Sequence, residues 1–178
     1  MNEAAALNFD WITPTLAVGG SFPANAIERL ARDHRIAAVI DARAQSRDDE
    51  ALMARHGIAF LHLPTDDTFA LVDADLDAGI AFAANHIKAG QRVLIHCEYG
   101  IGRSALLALC VLVTHGDAPL DALERMKKAR TRISPSPHQF KGWVRWLGRY
   151  RIERARPWEL PRFEAFAAIA YRHPAHGA

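Results

Sequence analysis

Cysteine is scarce in this chain: Cys97 and Cys110 are the only two in 178 residues. A secreted fold held by disulfides packs more cysteines into a shorter chain, so that class is excluded. Long apolar runs are missing too. The longest, 105–113, is less than half of the roughly 20 residues that a membrane-spanning helix needs. Met1-Asn2-Glu3-Ala4 has neither the basic start nor the apolar core of a secretory leader. These absences lead us to expect a reduced, cytoplasmic protein without a membrane span. Neither sign of charge dominates. The formal net charge is +2 and the pI about 8.7, a balance that suits anionic substrates but is too weak for a nucleic-acid binder. None of the nine histidines forms a His-x-x-x-His pair, so no metal site is expected.

What is present is an ordinary globular composition, half hydrophobic and 24% charged, without repeats or low-complexity tracts. The length fits one domain over 1–178, with a core at about 10–152 and a C-terminal helical extension at about 157–172. Apolar patterning predicts strands at 16–18, 36–40, 58–63 and 93–95. It predicts helices at 23–32, 48–56, 75–88, 103–114, 119–129, 138–153 and 161–171. Asp41 closes the second strand and Pro64 the third. Strands alternating with helices imply an α/β fold, with a mostly parallel central sheet flanked by helices.

The informative stretch is Val93-Leu94-Ile95-His96-Cys97-Glu98-Tyr99-Gly100-Ile101-Gly102-Arg103-Ser104. It reads as a buried strand, a tight loop and an apolar helix, and ligands in open α/β sheets bind just beyond the carboxyl ends of strands. Gly100 and Gly102 let consecutive N–H groups turn inward as an anion nest, and the following helix aims its N-terminus at the same spot. Inward N–H groups, the helix dipole and a nearby guanidinium all favour the thiolate of Cys97. Arg103, six positions on, can curl back and place its planar fork on two oxygens of one phosphate. Ser104 can donate to the sulfur. Cys110, inside the apolar helix, reads as a small core residue.

His96-Cys97-x-x-Gly100-x-x-Arg103-Ser104 resembles the phosphate-binding loop of the cysteine-dependent protein tyrosine phosphatases. Ile12-Thr13-Pro14-x-Leu16-x-Val18-Gly19-Gly20, Ala38-Val39-Ile40-Asp41 and Leu61-His62-Leu63-Pro64 are similar to segments of the dual-specificity branch, so the likeness covers about 10–150. The resemblance implies a phosphatase fold and hydrolysis of a phosphomonoester through a cysteinyl-phosphate. Cys97 would attack, and Arg103 with the N–H groups of Glu98, Tyr99, Gly100, Ile101 and Gly102 would hold the oxygens. His96 would order the loop. No cofactor is implied.

The same resemblance puts a general acid on the loop after Pro64, where Asp66 and Asp67 both stand, and family spacing favours Asp67. Arg130 and Arg132 fall where the family often has an arginine for distal negative charge, although a solvated basic run is the simpler reading. Gln139 falls where some members position water, and an ordinary first-turn helix residue fits equally well. The variable loop positions Glu98, Tyr99 and Ile101 add no positive charge, which disfavours a highly phosphorylated inositol head group. A phosphotyrosyl substrate, with phosphoserine or phosphothreonine as further possibilities, fits a shallow pocket. A sugar, inositol or metabolite monoester, a rhodanese-like sulfurtransferase and a phosphoprotein-binding pseudophosphatase are the rivals. The oligomeric state stays open.

Overall fold

Alternate residues of three short apolar runs separate onto the two faces of one sheet, and this sets the layers of the fold. The structure, a computed structural model, describes residues 6–173. The leader reading at residues 1–4 lies outside them. The chain enters as β1 (Phe9–Thr13) and β2 (Leu16–Gly19), and later contributes β3 (Ile36–Arg43), β4 (Ala59–Thr65) and β5 (Arg92–His96). Leu16, Val18, Ala38, Ile40, Val93 and Ile95 face one apolar cluster, while Ala17, Val39 and Leu94 face a second. Both sheet faces are therefore covered, which is why these strands read as continuous apolar runs.

The sheet order is β1-β2-β5-β3-β4. Among the described residues only the β1–β2 pair is antiparallel, so the sheet is mostly parallel, as expected of the α/β fold. On one face lie α1 (Ile27–Arg32) and α2 (Glu50–Arg55), which bury Ile27, Leu30 and Met53. On the other lie α3 (Asp73–Lys88), α4 (Arg103–Thr114), α5 (Pro119–Ala129), α6 (Pro137–Glu153) and α7 (Phe163–Ala170). Helix α4 is buried along residues 103–113, as a helix apolar all round must be. Burying each of its leucines is worth about 1.5–3 kcal/mol, enough to fix the helix with no side chain capping its start. Its first N–H groups are left for another acceptor. α7 belongs to the same core, because Phe166 and Ala170 are fully buried in the α4 cluster.

Several boundaries differ from the sequence reading. β1 is a separate strand that folds back on β2. β3 runs to Arg43, beyond Asp41, because Arg43 pairs with Thr65 of β4. β4 likewise passes through Pro64, which the sheet tolerates because β4 is an edge strand. The helix expected at 23–32 opens as a 3₁₀ turn, Ala24–Ala26. α2 begins at Glu50, capped by Asp49, whose carboxylate accepts from Leu52 N–H at 2.8 Å. Asp48 is thus outside the helix and free for another task.

Candidate active site

β5 ends at His96, α4 begins at Arg103, and the six intervening residues wrap around one point beyond the carboxyl end of the sheet. Five of the loop's six carbonyls accept from groups outside the loop. Glu98 O accepts from Ser21 N–H, and Ile101 O from Ser134 N–H at 3.0 Å. Gly100 O accepts from Arg130 Nε at 2.7 Å, Tyr99 O from Arg130 Nη2 at 3.2 Å, and Gly102 O from Leu106 N–H at 2.8 Å. With these carbonyls engaged elsewhere, the N–H groups of Gly100, Ile101 and Ser104 point at the Cys97 sulfur, as a nest requires. Gly100 has φ +67°, and a Cβ there would lie 2.4 Å from the Gly19 carbonyl carbon. Gly102 has an ordinary φ of −117°. A Cβ there would fall 2.5 Å from Gln139 Oε1, so the Gln139 amide would have to shift to admit it.

Cys97 sits at the base of the nest, almost fully buried, with Sγ 3.3 Å from Ser104 Oγ. Burial alone would push its thiol pKa up. The Ser104 hydroxyl and the N–H groups of Ser104, Gly100 and Ile101 outweigh burial and hold it below the usual thiol value. Complete burial pushes Cys110 far the other way.

Arg103 is oriented from behind. Its Nη1 donates to Thr65 O and to Gln45 Oε1, both at 2.8 Å. Nε and Nη2, the paired edge of the fork, make no hydrogen bond although they are buried. A buried guanidinium edge left without hydrogen bonds is costly, and its two parallel donors have the spacing of two oxygens of one anion. Asp67 Oδ1 approaches Nη2 at 3.3 Å from a half-exposed position.

The pocket is small, about 140 Å³, and is lined by Asp67, Thr68, Cys97, Tyr99, Ile101 and Gly102, closed by Ser134, Ser136 and Gln139. Asp66 is not on its wall; its carbonyl instead accepts from Phe69 N–H within the loop turn. The start of α6 holds this acidic loop. Ser136 Oγ donates to Thr68 O, Gln139 Nε2 donates to Phe69 O at 3.1 Å, and His138 Nδ1 accepts from Ala70 N–H at 3.0 Å. These contacts accommodate Thr68 at φ +66°. A larger groove, about 890 Å³, opens between α3 and α6 beside Trp146 and Tyr150, and none of residues 97–104 borders it.

Of the remaining sequence candidates, His96 is fully buried, and its Nε2 donates to Asp48 Oδ2 at 2.7 Å. The Glu98 side chain turns to Arg43 and Ser21 and is not part of the pocket wall. Arg130 is neither solvated nor available for a distal anion. It is buried, and beyond the loop it binds Asp10 and Asn8 at 2.7 and 2.8 Å. Arg132 is exposed, 3.4 Å from Asn8, and does not border the pocket. Gln139 forms a capping box with Ser136 through its Oε1, and its Nε2 donates to Phe69 O, so both ends of its amide are engaged. Sequence reasoning missed Gln45, Arg43 and Asp48. For Ser136 and Gln139 a signal existed, since Ser-Pro-His-Gln is a capping-box pattern.

Residues 20–149 match the family model described as dual specificity phosphatase, catalytic domain. The chain belongs to that family. It is therefore a cysteine-dependent phosphatase, and the dual-specificity resemblance of its phosphate loop extends to most of the chain. A mouse relative, phosphatidylglycerophosphatase and protein-tyrosine phosphatase 1, is 29% identical over 142 residues, 74% of each chain. Human dual specificity protein phosphatase 5 is 29% identical over 127 residues, 70% of this chain and 32% of that protein. Among solved structures, PTPMT1 in complex with PI(5)P superposes with a TM-score of 0.76 at 27% identity, covering 83% of this phosphatase and 98% of that chain. Human DUSP28 shares the fold, with a TM-score of 0.70 at 24% identity over 83% and 97% of the two chains.

Proposed function

We propose that this phosphatase hydrolyses single phosphomonoesters through a phosphate held on Cys97, with phosphotyrosyl proteins as its substrate class. The observation that carries the proposal is the buried Nε/Nη2 edge of Arg103, which makes no hydrogen bond, at the start of the helix that follows a thiol held below its usual pKa. A phosphate dianion satisfies that edge and the inward N–H groups together. Its phosphorus is then set for in-line attack by the sulfur. The same phosphate takes over Nη2 from Asp67, releasing that carboxyl to protonate the departing oxygen and later to activate water. Ser104 stabilises the sulfur as it leaves in the second step.

The substrate class follows from the rim. Tyr99, on the pocket wall, and Phe69, next in the chain to the lining residue Thr68, are exposed at 56% and 52%, and Arg103 is the cation assigned to the phosphate. Aromatic edges suit a phenyl ring above one phosphate, and a single guanidinium suits one phosphate better than several. The two free cysteines suit a reduced, cytoplasmic setting. A second reading rests on the name of the mouse relative, which joins a phospholipid activity to a protein one. The test measures phosphate release from a phosphotyrosyl peptide and from phosphatidylglycerophosphate in detergent micelles. A higher kcat/KM on the peptide is expected. Turnover of the lipid alone would transfer the enzyme to the second reading.

A further inference from the structure

The segment joining β3 to α2 carries no motif, yet it touches both ends of the phosphate loop. At the arginine end, Gln45 accepts from Arg103 at 2.8 Å. At the cysteine end the contacts form a buried charge network. Asp48 Oδ2 accepts from His96 Nε2 at 2.7 Å, and the other ring nitrogen of His96 lies 3.3 Å from Cys97 O. Asp48 Oδ1 accepts from Arg43 Nη2 at 2.7 Å. Arg43 also clamps Asp41 through Nε and Nη2, both at 2.9 Å, and reaches Glu98 of the loop with Nη1 at 3.5 Å. Ser21 Oγ completes the group by donating to Glu98 Oε1 at 3.1 Å.

Asp41, Asp48 and His96 bring three donor atoms within 4.8 Å of one another, the spacing of a metal site. The guanidinium of Arg43 already supplies the positive charge there, and one planar fork meets three carboxylates. A network closed this far inside the protein is costly to assemble and costly to break, so each member fixes the others in one geometry. What it fixes is the loop on either side of the sulfur. His96 precedes Cys97, and Glu98 follows it.

We infer that Arg43 and Asp48 are positioning residues for the phosphatase reaction, holding Cys97 in attacking geometry through His96 and Glu98. Neither touches substrate. The inference rests on Cys97 being the nucleophile. A one-ångström displacement of a reacting group can cost about a hundredfold in rate, so loosening this brace acts on kcat before it acts on KM.

The test compares Asp48→Ala, Asp48→Asn and Arg43→Lys with the wild-type enzyme. It measures kcat and KM on p-nitrophenyl phosphate, the rate of iodoacetamide inactivation from pH 5 to 9, and the melting curve. Asp48→Ala should lose about ten- to a hundredfold in kcat with little change in KM, and its inactivation profile should move to higher pH. Asp48→Asn keeps an oxygen acceptor for His96 but turns an NH2 toward Arg43 Nη2, and should recover part of the loss. Arg43→Lys keeps the charge but cannot bridge three carboxylates, and should lose kcat as Asp48→Ala does. Wild-type kcat and an unmoved inactivation profile in Asp48→Ala would overturn the inference, as would equal damage from Asn and Ala. If Asp48→Ala does not fold, Asp48→Asn and Arg43→Lys decide: wild-type kcat in Arg43→Lys overturns it. An active Cys97→Ser enzyme would instead remove the functional reading beneath it, so the two failures are distinct.

Discussion

Replacing Asp67 by asparagine keeps the shape of the side chain while removing its proton and its charge, and the two losses pull in opposite directions. Asp67 Oδ1 lies 3.3 Å from Arg103 Nη2, and its side chain is 59% exposed. At that distance in a water-like dielectric, the attraction is about 1 kcal/mol. Removing it frees the arginine for phosphate, and should lower KM by up to about fivefold. Loss of the proton donor should lower kcat by about 10²–10⁴-fold, because general acid assistance is worth that much. The loss depends on the leaving group. A phosphotyrosyl or alkyl ester needs the proton, whereas p-nitrophenolate leaves without much help. The assay is therefore kcat and KM for Asp67→Asn and Asp66→Asn on both kinds of ester, with the pH profile of kcat/KM. Asp67→Asn should show the larger loss on the poor leaving group and a flattened basic limb. Asp66→Asn, whose side chain is off the pocket wall, should show neither. Leaving-group dependence in Asp66→Asn alone would refute the assignment.

Arg103→Lys should lose more than tenfold in kcat/KM, over about 1.4 kcal/mol, because an ammonium cannot present two parallel donors to one phosphate; steady-state kinetics on p-nitrophenyl phosphate checks this. Gly100→Ala should be folded but nearly inactive, since its Cβ would press on Gly19 at 2.4 Å and push the nest open; inorganic vanadate binding should weaken in parallel. Lys127→Met should cost about 2–4 kcal/mol of stability in urea melts, because buried Nζ donates to Ile133 O at 2.9 Å and Ala170 O at 2.8 Å and so ties α5 to α7. With its pKa held down by the Ser104 hydroxyl and the loop N–H groups despite burial, Cys97 carries more thiolate at pH 7 than burial alone would leave it. Iodoacetamide at pH 7 should therefore label Cys97 faster than free glutathione and leave Cys110 unlabelled, as peptide mass mapping will report.

The parts of this protein that one local pattern determines were legible in its sequence. Helices α4 and α5 begin and end where apolar spacing and the first-turn Pro119 put them. The loop from Cys97 to Arg103 is legible because its chemistry is contained in seven consecutive residues. The brace is not. Asp41 and Asp48 look like a strand end and a helix start, and only the parallel pairing of β3 with β5 brings Asp41 opposite His96. Arg130 was misread for a similar reason. Its partners Asn8 and Asp10 lie more than a hundred residues earlier, and no local signal separates a buried clamp from a solvated arginine. Asp66 and Asp67 differ by one position, so only the turn at Thr68, anchored by Ser136 and Gln139, brings one of them to the pocket wall.

The claim on which the rest depends is that phosphate passes through the Cys97 sulfur. Rapid acid quench of the Asp67→Asn enzyme during turnover of p-nitrophenyl phosphate, followed by peptide mass analysis, tests it directly. The account predicts one phosphoryl group on the peptide containing Cys97, absent from the Cys97→Ser enzyme, which should itself be inactive. Phosphate on another residue, or wild-type turnover by Cys97→Ser, would contradict it.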